Sequence, residues 1–150
     1  MPNLYLVRGL PGSGKTTYAS NTINNLNYSI QVDWYEADMF FLSTTGYNWN
    51  PNYLRQAHDW CYLNTLQTLY SGKDCYVSNT FTTYKELKRY LDLINQFPEL
   101  EIHIIELHTQ YKSIHNVPEE TVSRMRSRWF NLNPDQDIPN GLYKSIKFIR

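Results

Sequence analysis

The part of the chain best suited to chemistry is a glycine-rich segment at residues 9–16 that ends in a lysine and a threonine. It reads Gly-Leu-Pro-Gly-Ser-Gly-Lys-Thr and fits the pattern GxxxxGK[ST] at every fixed position. Glycines at this spacing let successive backbone N–H groups turn inward toward phosphate oxygens, and the dipole of a following helix adds to the attraction. The pattern therefore predicts a loop that binds the phosphates of a nucleotide.

Two side chains of this loop have predicted roles of their own. Lys15 is expected to reach the β- and γ-phosphates of ATP, and the Thr16 hydroxyl is expected to ligate Mg²⁺. ATP and Mg²⁺ are accordingly the predicted cofactors. The predicted nucleotide contacts are Gly9, Pro11, Gly12, Ser13, Gly14, Lys15, Thr16 and Thr17.

Phosphoryl transfer also needs a carboxylate near the accepting hydroxyl. Three acidic residues, Asp33, Glu36 and Asp38, lie at or beyond the end of the second predicted strand. In an open parallel sheet this is the edge where ligands bind. We favour Asp38 as the general base because it lies clear of the strand, where an acceptor can approach, while Asp33 and Glu36 remain open alternatives.

Aromatic side chains cluster on both sides of Asp38. Core packing accounts for some of them, but Tyr47 and Trp49 lie in a polar, asparagine-rich loop that has little core to reach. Flat side chains beside an acceptor site suit stacking on a nucleobase. This favours an acceptor that contains a base.

Length and composition narrow the class of protein. The 150 residues carry 14 basic and 14 acidic side chains, which argues against a protein that coats nucleic acid by bulk charge. Within that balance, 111–150 carries seven basic and four acidic residues, a net charge of +3.

Cys61 and Cys75 predict buried thiols in a reducing compartment, and there is no apolar run of membrane length and no signal-peptide pattern. We therefore expect a soluble, cytoplasmic protein.

Strand and helix patterns alternate along the chain, which predicts an α/β fold. Alternation of this kind implies βαβ crossovers and a mostly parallel sheet of four to five strands with helices on both faces. We expect one domain over 1–150. The predicted strands are 4–7, 29–35, 75–78, 101–107 and 146–149, the helices are 15–26, 52–69, 83–97 and 118–130, and the loops are 43–51 and 131–141.

Four segments in this order resemble the polynucleotide kinase-like P-loop kinases, which include phage 5′-hydroxyl kinase domains and many small phage ATP-binding proteins. Residues 9–17 are similar to the phosphate loop of that family, and 36–41 resemble its aspartate segment after the second strand. Residues 77–81 resemble its third-strand signature, and 115–125 resemble the turn and helix after its lid. The resemblance implies a kinase-type P-loop NTPase fold, a three-layer sandwich, over nearly the whole chain.

The resemblance also implies residue roles. Asp38 matches the aspartate proposed as general base, and Phe41 stands where the end-kinase branch has a substrate-side arginine. Asn79, followed by Thr80, stands in place of a third-strand acidic residue. The lid is expected at about 108–118 within a basic lid-and-tail segment at 111–150, and the two lid arginines align with His108 and Lys112.

The cationic residues that remain have open alternatives. Lys112 is the expected lid cation, against a solvated surface lysine. Arg124 and Arg128 share one helix face, and Arg126 points elsewhere. A solvated helix face with a Glu120–Arg124 pair is favoured for Arg124, while phosphate or nucleic-acid contact and a surface role are equally open for Arg126 and Arg128. His58, outside this group, is expected to be a packed histidine.

These observations favour an ATP- and Mg²⁺-dependent kinase of nucleic acid, with DNA ahead of RNA. The acceptor is a hydroxymethyl group on a modified pyrimidine of phage DNA or a 5′-hydroxyl end, and a phage protein that acts in the host cytoplasm fits. A kinase of a nucleoside or sugar and a nucleotide-dependent binding module remain alternatives. The expected catalytic residues are Lys15, Asp38, Lys112 and Arg128, and the expected substrate contacts are Asp38, Phe41, Tyr47, Trp49, Asn79, Thr80 and Arg126.

Overall fold

The computed structural model describes residues 2–26, 31–43, 46–108, 117–132 and 145–149. Most of the expected lid, including Lys112, lies outside these residues, as does most of the predicted loop 131–141. Among the described residues, no helix has the length and apolar character needed to cross a membrane.

Five parallel strands form the central sheet: β1 (Asn3–Arg8), β2 (Val32–Tyr35), β5 (Asp74–Asn79), β6 (Glu101–Leu107) and β7 (Ser145–Ile149). Their order across the sheet is β2-β5-β1-β6-β7. This confirms the predicted α/β class and the mostly parallel sheet. The phosphate loop leaves the central strand, β1, with β5 and β2 on one side and β6 and β7 on the other. Two further strands, β3 (Leu42–Ser43) and β4 (Gly46–Tyr47), pair separately as a small antiparallel hairpin.

Alternate residues of the sheet pack against helices on its two faces. Leu4 and Leu6 of β1 belong to the larger core cluster, whereas Val7 belongs to a second cluster with Ala19. Because successive side chains of a strand point to opposite faces, the two clusters are the two sides of the sheet. The helices are α1 (Lys15–Asn24), α2 (Leu54–Tyr70), α3 (Tyr84–Leu91) and α4 (Glu119–Ser127).

Several predicted boundaries differ from the structure. The predicted loop 43–51 contains β4, which pairs with β3, so this segment folds back on itself. The predicted helix 83–97 is regular only over α3, which begins at a Thr83–Glu86 capping box and then tightens into a 3-10 turn, Asp92–Asn95. The predicted helix 118–130 ends at Ser127. Cys61 and Cys75 are buried free thiols, as expected.

Candidate active site

The phosphate loop connects β1 to α1 with backbone angles that require glycine. Gly12 and Gly14 have φ angles of 84° and 90°, in the left-handed region that side chains disfavour. Gly9 is confined by space instead, because a Cβ there would lie 2.9 Å from the Leu107 carbonyl oxygen and closer still to the Ser13 hydroxyl. The loop therefore needs glycine at all three positions, for two different reasons.

Two polar side chains of the loop are withdrawn from solvent: Lys15 is half-buried and Ser13 is buried. The Lys15 ammonium donates to the Leu10 carbonyl at 3.1 Å, and burial lowers the pKa of Lys15 to about 8. The Ser13 hydroxyl is one of two buried side-chain polar atoms without a hydrogen-bond partner in the described part of the chain. The Lys15 ammonium lines the cleft and fits an anion-binding loop, whereas the Ser13 hydroxyl lies against Gly9 and does not line the cleft.

Thr16 and Glu36 join the loop to the end of β2. The Thr16 hydroxyl donates to Glu36 Oε1 at 2.8 Å, and the Glu36 side chain is almost completely buried. Burial raises the pKa of Glu36 to about 7, and the hydrogen bond from Thr16 opposes that rise. The described residues include no cluster of three acidic, histidine or cysteine ligands. A hydroxyl beside one or two carboxylates nevertheless fits Mg²⁺, which takes its other ligands from water and substrate phosphates.

Asp38 lies on the 3-10 turn Ala37–Phe41, which directly follows Glu36. The Tyr47 hydroxyl donates to Asp38 Oδ1 at 3.0 Å, and burial together with Asp38 raises the pKa of Tyr47. Asn79, at the end of β5, accepts from the Ala37 N–H at 2.9 Å and so fixes the start of the same turn. Tyr47 of the hairpin thus holds the Asp38 carboxylate, and Asn79 of the sheet holds the start of the turn that carries it.

One cleft of about 1000 Å³ contains most of the predicted site. Arg124 of α4 and Arg128, the residue directly after α4, also line it, and Trp49 lies on its rim with about half of its side chain exposed. Arg124 also donates to the Thr121 hydroxyl at 3.3 Å. The predicted residues that line the cleft are Pro11, Gly12, Gly14, Lys15, Thr16, Thr17, Asp38, Phe41, Tyr47, Trp49, Asn79, Thr80 and Arg128.

Three predicted contacts do not line this cleft. Gly9 and Ser13 belong to the phosphate loop but are buried within it. Arg126 pairs instead with Glu119 at 3.8 Å, because a side chain two residues from Arg124 and from Arg128 points away from their helix face. Lys112 lies outside the described residues.

Two residues that the sequence assigned elsewhere line the cleft. His58 of α2 was expected to be a packed histidine, and Arg124 was expected on a solvated face. The spacing of Thr121, Arg124, Met125 and Arg128 was the available signal for Arg124, because residues three and four apart share a helix face. His58 gave no such signal, since its neighbours in sequence indicate only an amphipathic helix.

A model of the family AAA_33, described as an AAA domain, matches residues 4–132. The chain belongs to this family. The AAA_33 match includes the phosphate loop, the Asp38 turn and α4, and therefore every element that lines the cleft.

Solved structures agree with AAA_33 membership at the level of the fold. Two structures of the Pnkp1/Rnl/Hen1 complex, one described as an RNA repair complex, give TM-scores of 0.57 and 0.52 at 19% and 17% identity, over 93% and 94% of this chain. This chain spans 43% of the length of each. An unliganded sugar kinase from Janibacter sp. HTCC2649 gives a TM-score of 0.64 at 14% identity, over 99% of this chain and 86% of its own.

Kti12 of Chaetomium thermophilum, in complex with ADP-AlF3, gives a TM-score of 0.60 at 13% identity, over 97% of this chain and 88% of its own. Together with the family match, these likenesses identify a nucleotide-binding P-loop protein with a kinase-like fold.

Proposed function

We propose that this protein is an ATP-dependent kinase that transfers the γ-phosphoryl group to a hydroxyl group of nucleic acid. One observation carries the proposal: the phosphate loop, Asp38 and Arg128 line the same cleft. A phosphate site, a carboxylate and a cation around one space are what in-line phosphoryl transfer requires. The likeness to Kti12, whose structure holds ADP-AlF3, supports ATP as the nucleotide.

Each side chain then has a distinct task. Asp38 orients the acceptor hydroxyl and takes its proton as the oxygen bonds to the γ-phosphorus and the bond to the β-phosphate oxygen breaks. Lys15 and the loop N–H groups hold the β- and γ-phosphates, and Arg128 neutralises charge on the transferring group. The Thr16 hydroxyl beside Glu36 would hold Mg²⁺, which would supply further charge neutralisation when bound. Tyr47 keeps the Asp38 carboxylate aimed into the cleft.

The rim of the cleft supports a base-containing acceptor. Trp49 is exposed beside Tyr47 and Asp38, where its ring can stack on a base, and Arg124 and Arg128 provide positive charge for a nucleic-acid backbone. The acceptors proposed are the hydroxymethyl pyrimidine of phage DNA and the 5′-hydroxyl end, with DNA ahead of RNA. The likeness to Pnkp1 of an RNA repair complex favours the nucleic-acid class. We also propose that the protein is of phage origin, that it acts in the host cytoplasm, and that it forms the expected single domain with its lid.

A small-molecule kinase is the second candidate. The likeness to a sugar kinase covers 99% of this chain, with a TM-score above that of Pnkp1. The cleft volume of about 1000 Å³ also suffices for a nucleoside or sugar beside ATP.

One transfer assay separates the acceptors. The protein is incubated with γ-labelled ATP and, in parallel, with plain DNA, 5′-hydroxyl DNA and RNA oligonucleotides, DNA containing hydroxymethyluracil, and a panel of nucleosides and sugars. Label in one of the nucleic-acid acceptors supports the proposal. Label only in a soluble metabolite supports the second candidate, and tight ATP binding without transfer to any acceptor supports a binding module.

Asp38→Asn tests the chemical role within the same assay. We expect a loss of transfer of about 100-fold or more with an unchanged ATP affinity, because the amide cannot accept the hydroxyl proton. Asp33→Asn is the matched control: Asp33 accepts from the Thr68 hydroxyl at 2.7 Å and pairs with Lys73 at 3.7 Å, and it does not line the cleft. If Asp38→Asn keeps most of the transfer rate, the proposed mechanism is wrong.

A further inference from the structure

Arg8, the last residue of β1, is completely buried directly before the phosphate loop. A buried guanidinium is costly unless its donors are satisfied. Its Nη1 pairs with Glu106 Oε2 at 3.0 Å, and its Nε and Nη2 donate to the Phe81 carbonyl at 3.2 and 2.8 Å. Nη2 also donates to the Phe130 carbonyl at 3.1 Å, and the guanidinium lies 3.9 Å from the ring centroid of Trp129.

These contacts reach three segments that are distant in sequence, and two of them directly follow residues that line the cleft. Phe81 follows Asn79 and Thr80, which line it. The Trp129–Phe130 pair directly follows Arg128, which is the residue after α4 and lines the cleft. Glu106 lies on β6 directly opposite Arg8, and its second oxygen lies 2.9 Å from His108 Nε2, at the start of the expected lid.

Two of the contacts fix backbone rather than side chain. Phe81 has a φ angle of 47°, the left-handed region that a bulky residue rarely adopts, and its carbonyl receives two donors from Arg8. The Phe130 N–H donates to the Thr82 carbonyl at 2.8 Å, so the segment after α4 is bound to the same turn. Arg8 therefore connects the turn after β5 and the segment after α4 to the end of β1, directly before the phosphate loop.

We propose that Arg8 is a positioning residue of the phosphoryl-transfer site. It holds the arginine-bearing face of α4 and the Asn79–Thr80 segment over the phosphate loop, and it touches neither nucleotide nor acceptor. Its effect on transfer rests on the proposed kinase function, whereas its effect on the position of α4 does not. Nucleotide binding should depend little on it, because the loop backbone holds the phosphates.

Arg8→Lys is the principal test, because lysine keeps the charge beside Glu106 but lacks the planar fork that reaches both carbonyls. We expect the ATP affinity to change by less than about threefold and the turnover number to fall by about 10- to 100-fold, since a small displacement of a positioned cation has that effect. The loss should largely disappear in an Arg128→Gln background, where the cation that Arg8 positions is already absent.

Hydrogen exchange measured by mass spectrometry gives the readout that needs no kinase activity. In Arg8→Lys we expect faster exchange in 80–83 and 119–130 and unchanged exchange in β1 and β6. Arg89→Lys is the matched control, because Arg89 also pairs with a carboxylate, Asp59 at 2.9 Å, and lies 4.1 Å from the Tyr62 ring centroid, but on the surface. The double variant Arg8→Met with Glu106→Gln, which leaves no unpaired charge, is expected to show the same exchange pattern as Arg8→Lys.

The outcomes are separable. Faster exchange confined to 80–83 and 119–130 supports the positioning role even if no acceptor is ever phosphorylated, in which case only the kinase proposal fails. The positioning role is overturned if the exchange rates in 119–130 are unchanged. It is also overturned if exchange becomes uniformly faster throughout the protein and ATP affinity and turnover fall equally.

Discussion

Burial at the cleft gives Glu36 an unusual pH dependence. Its pKa rises from the ordinary value of 4.5 to about 7, mainly because the carboxylate is removed from water. The folded protein therefore holds the Glu36 proton over a range in which the unfolded chain has lost it. The stability that this provides is fully present below pH 4.5 and is lost as the pH rises to about 7.

The effect is measurable in Glu36→Gln without nucleotide or metal ion. A shift of this size corresponds to about 3 kcal/mol, so we expect the variant to lack most of the decline in unfolding free energy that the parent protein shows between pH 4.5 and 7. Urea unfolding at several pH values measures the difference. Glu99→Gln, at an exposed carboxyl group, is the control and should follow the parent. Equal slopes for the parent and Glu36→Gln would exclude the buried carboxylate as the cause.

At the scale of single residues, the sequence predicted those residues whose chemistry belongs to one motif. Lys15 and Thr16 could be located because the phosphate loop is contiguous and its spacing follows from the geometry of phosphate binding. The Thr16–Glu36 and Asp38–Tyr47 hydrogen bonds could not be predicted, since each joins residues from different loops. Local spacing carries no information on which oxygen of one loop lies near the next, so Glu36 remained one of three possible bases.

The end of α4 separates two arginines, Arg126 and Arg128, for which the sequence left the same two alternatives open. Arg128 lines the cleft, while Arg126 pairs with Glu119 on the exposed side. We expect Arg128→Gln to lower the transfer rate by about 100-fold, because a cation at the transferring group is lost. Arg126→Gln removes only an exposed ion pair and should change the rate by less than about twofold. Steady-state transfer rates of the two variants, compared at saturating ATP, measure the contrast. Equal losses in both would mean that the cleft-facing position of α4 has no special role.

Elements with a single dominant pattern were predicted well, and those that depend on tertiary contacts were not. The strand at 101–107 was predicted with the bounds that β6 has, because a strongly apolar run indicates a buried strand. The hairpin of β3 and β4 was missed since each strand is only two residues long and has no periodicity to detect. The early end of α3 was missed because the apolar spacing of its helical face continues through the 3-10 turn that follows.

At the scale of the whole molecule, the parallel sheet brings the carboxyl ends of β1, β2 and β5 to one edge. The phosphate loop, the Asp38 turn and Asn79 follow those three strands, which is why Pro11 and Asn79, 68 positions apart in the sequence, line one cleft. This juxtaposition was predictable from the alternation of strands and helices. The order of the strands and the link from Arg8 to α4 were not, because they depend on side chains that meet only in the folded protein.

The cleft keeps a charge that the ligand-free protein would be more stable without. Because burial lowers the pKa of Lys15 from 10.5 to about 8, the charged ammonium lowers the unfolding free energy by about 3 kcal/mol at neutral pH when no phosphate is bound. Lys15→Met should therefore unfold at a higher urea concentration than the parent when nucleotide is absent. ATP at 100 times its dissociation constant for the parent should raise the unfolding free energy of the parent by about 2.7 kcal/mol and that of the variant hardly at all. Lys85→Met, at an exposed lysine of α3, is the control. A Lys15→Met variant that is less stable without nucleotide, or is stabilised by ATP as the parent is, would show that Lys15 supports the fold rather than the bound phosphate.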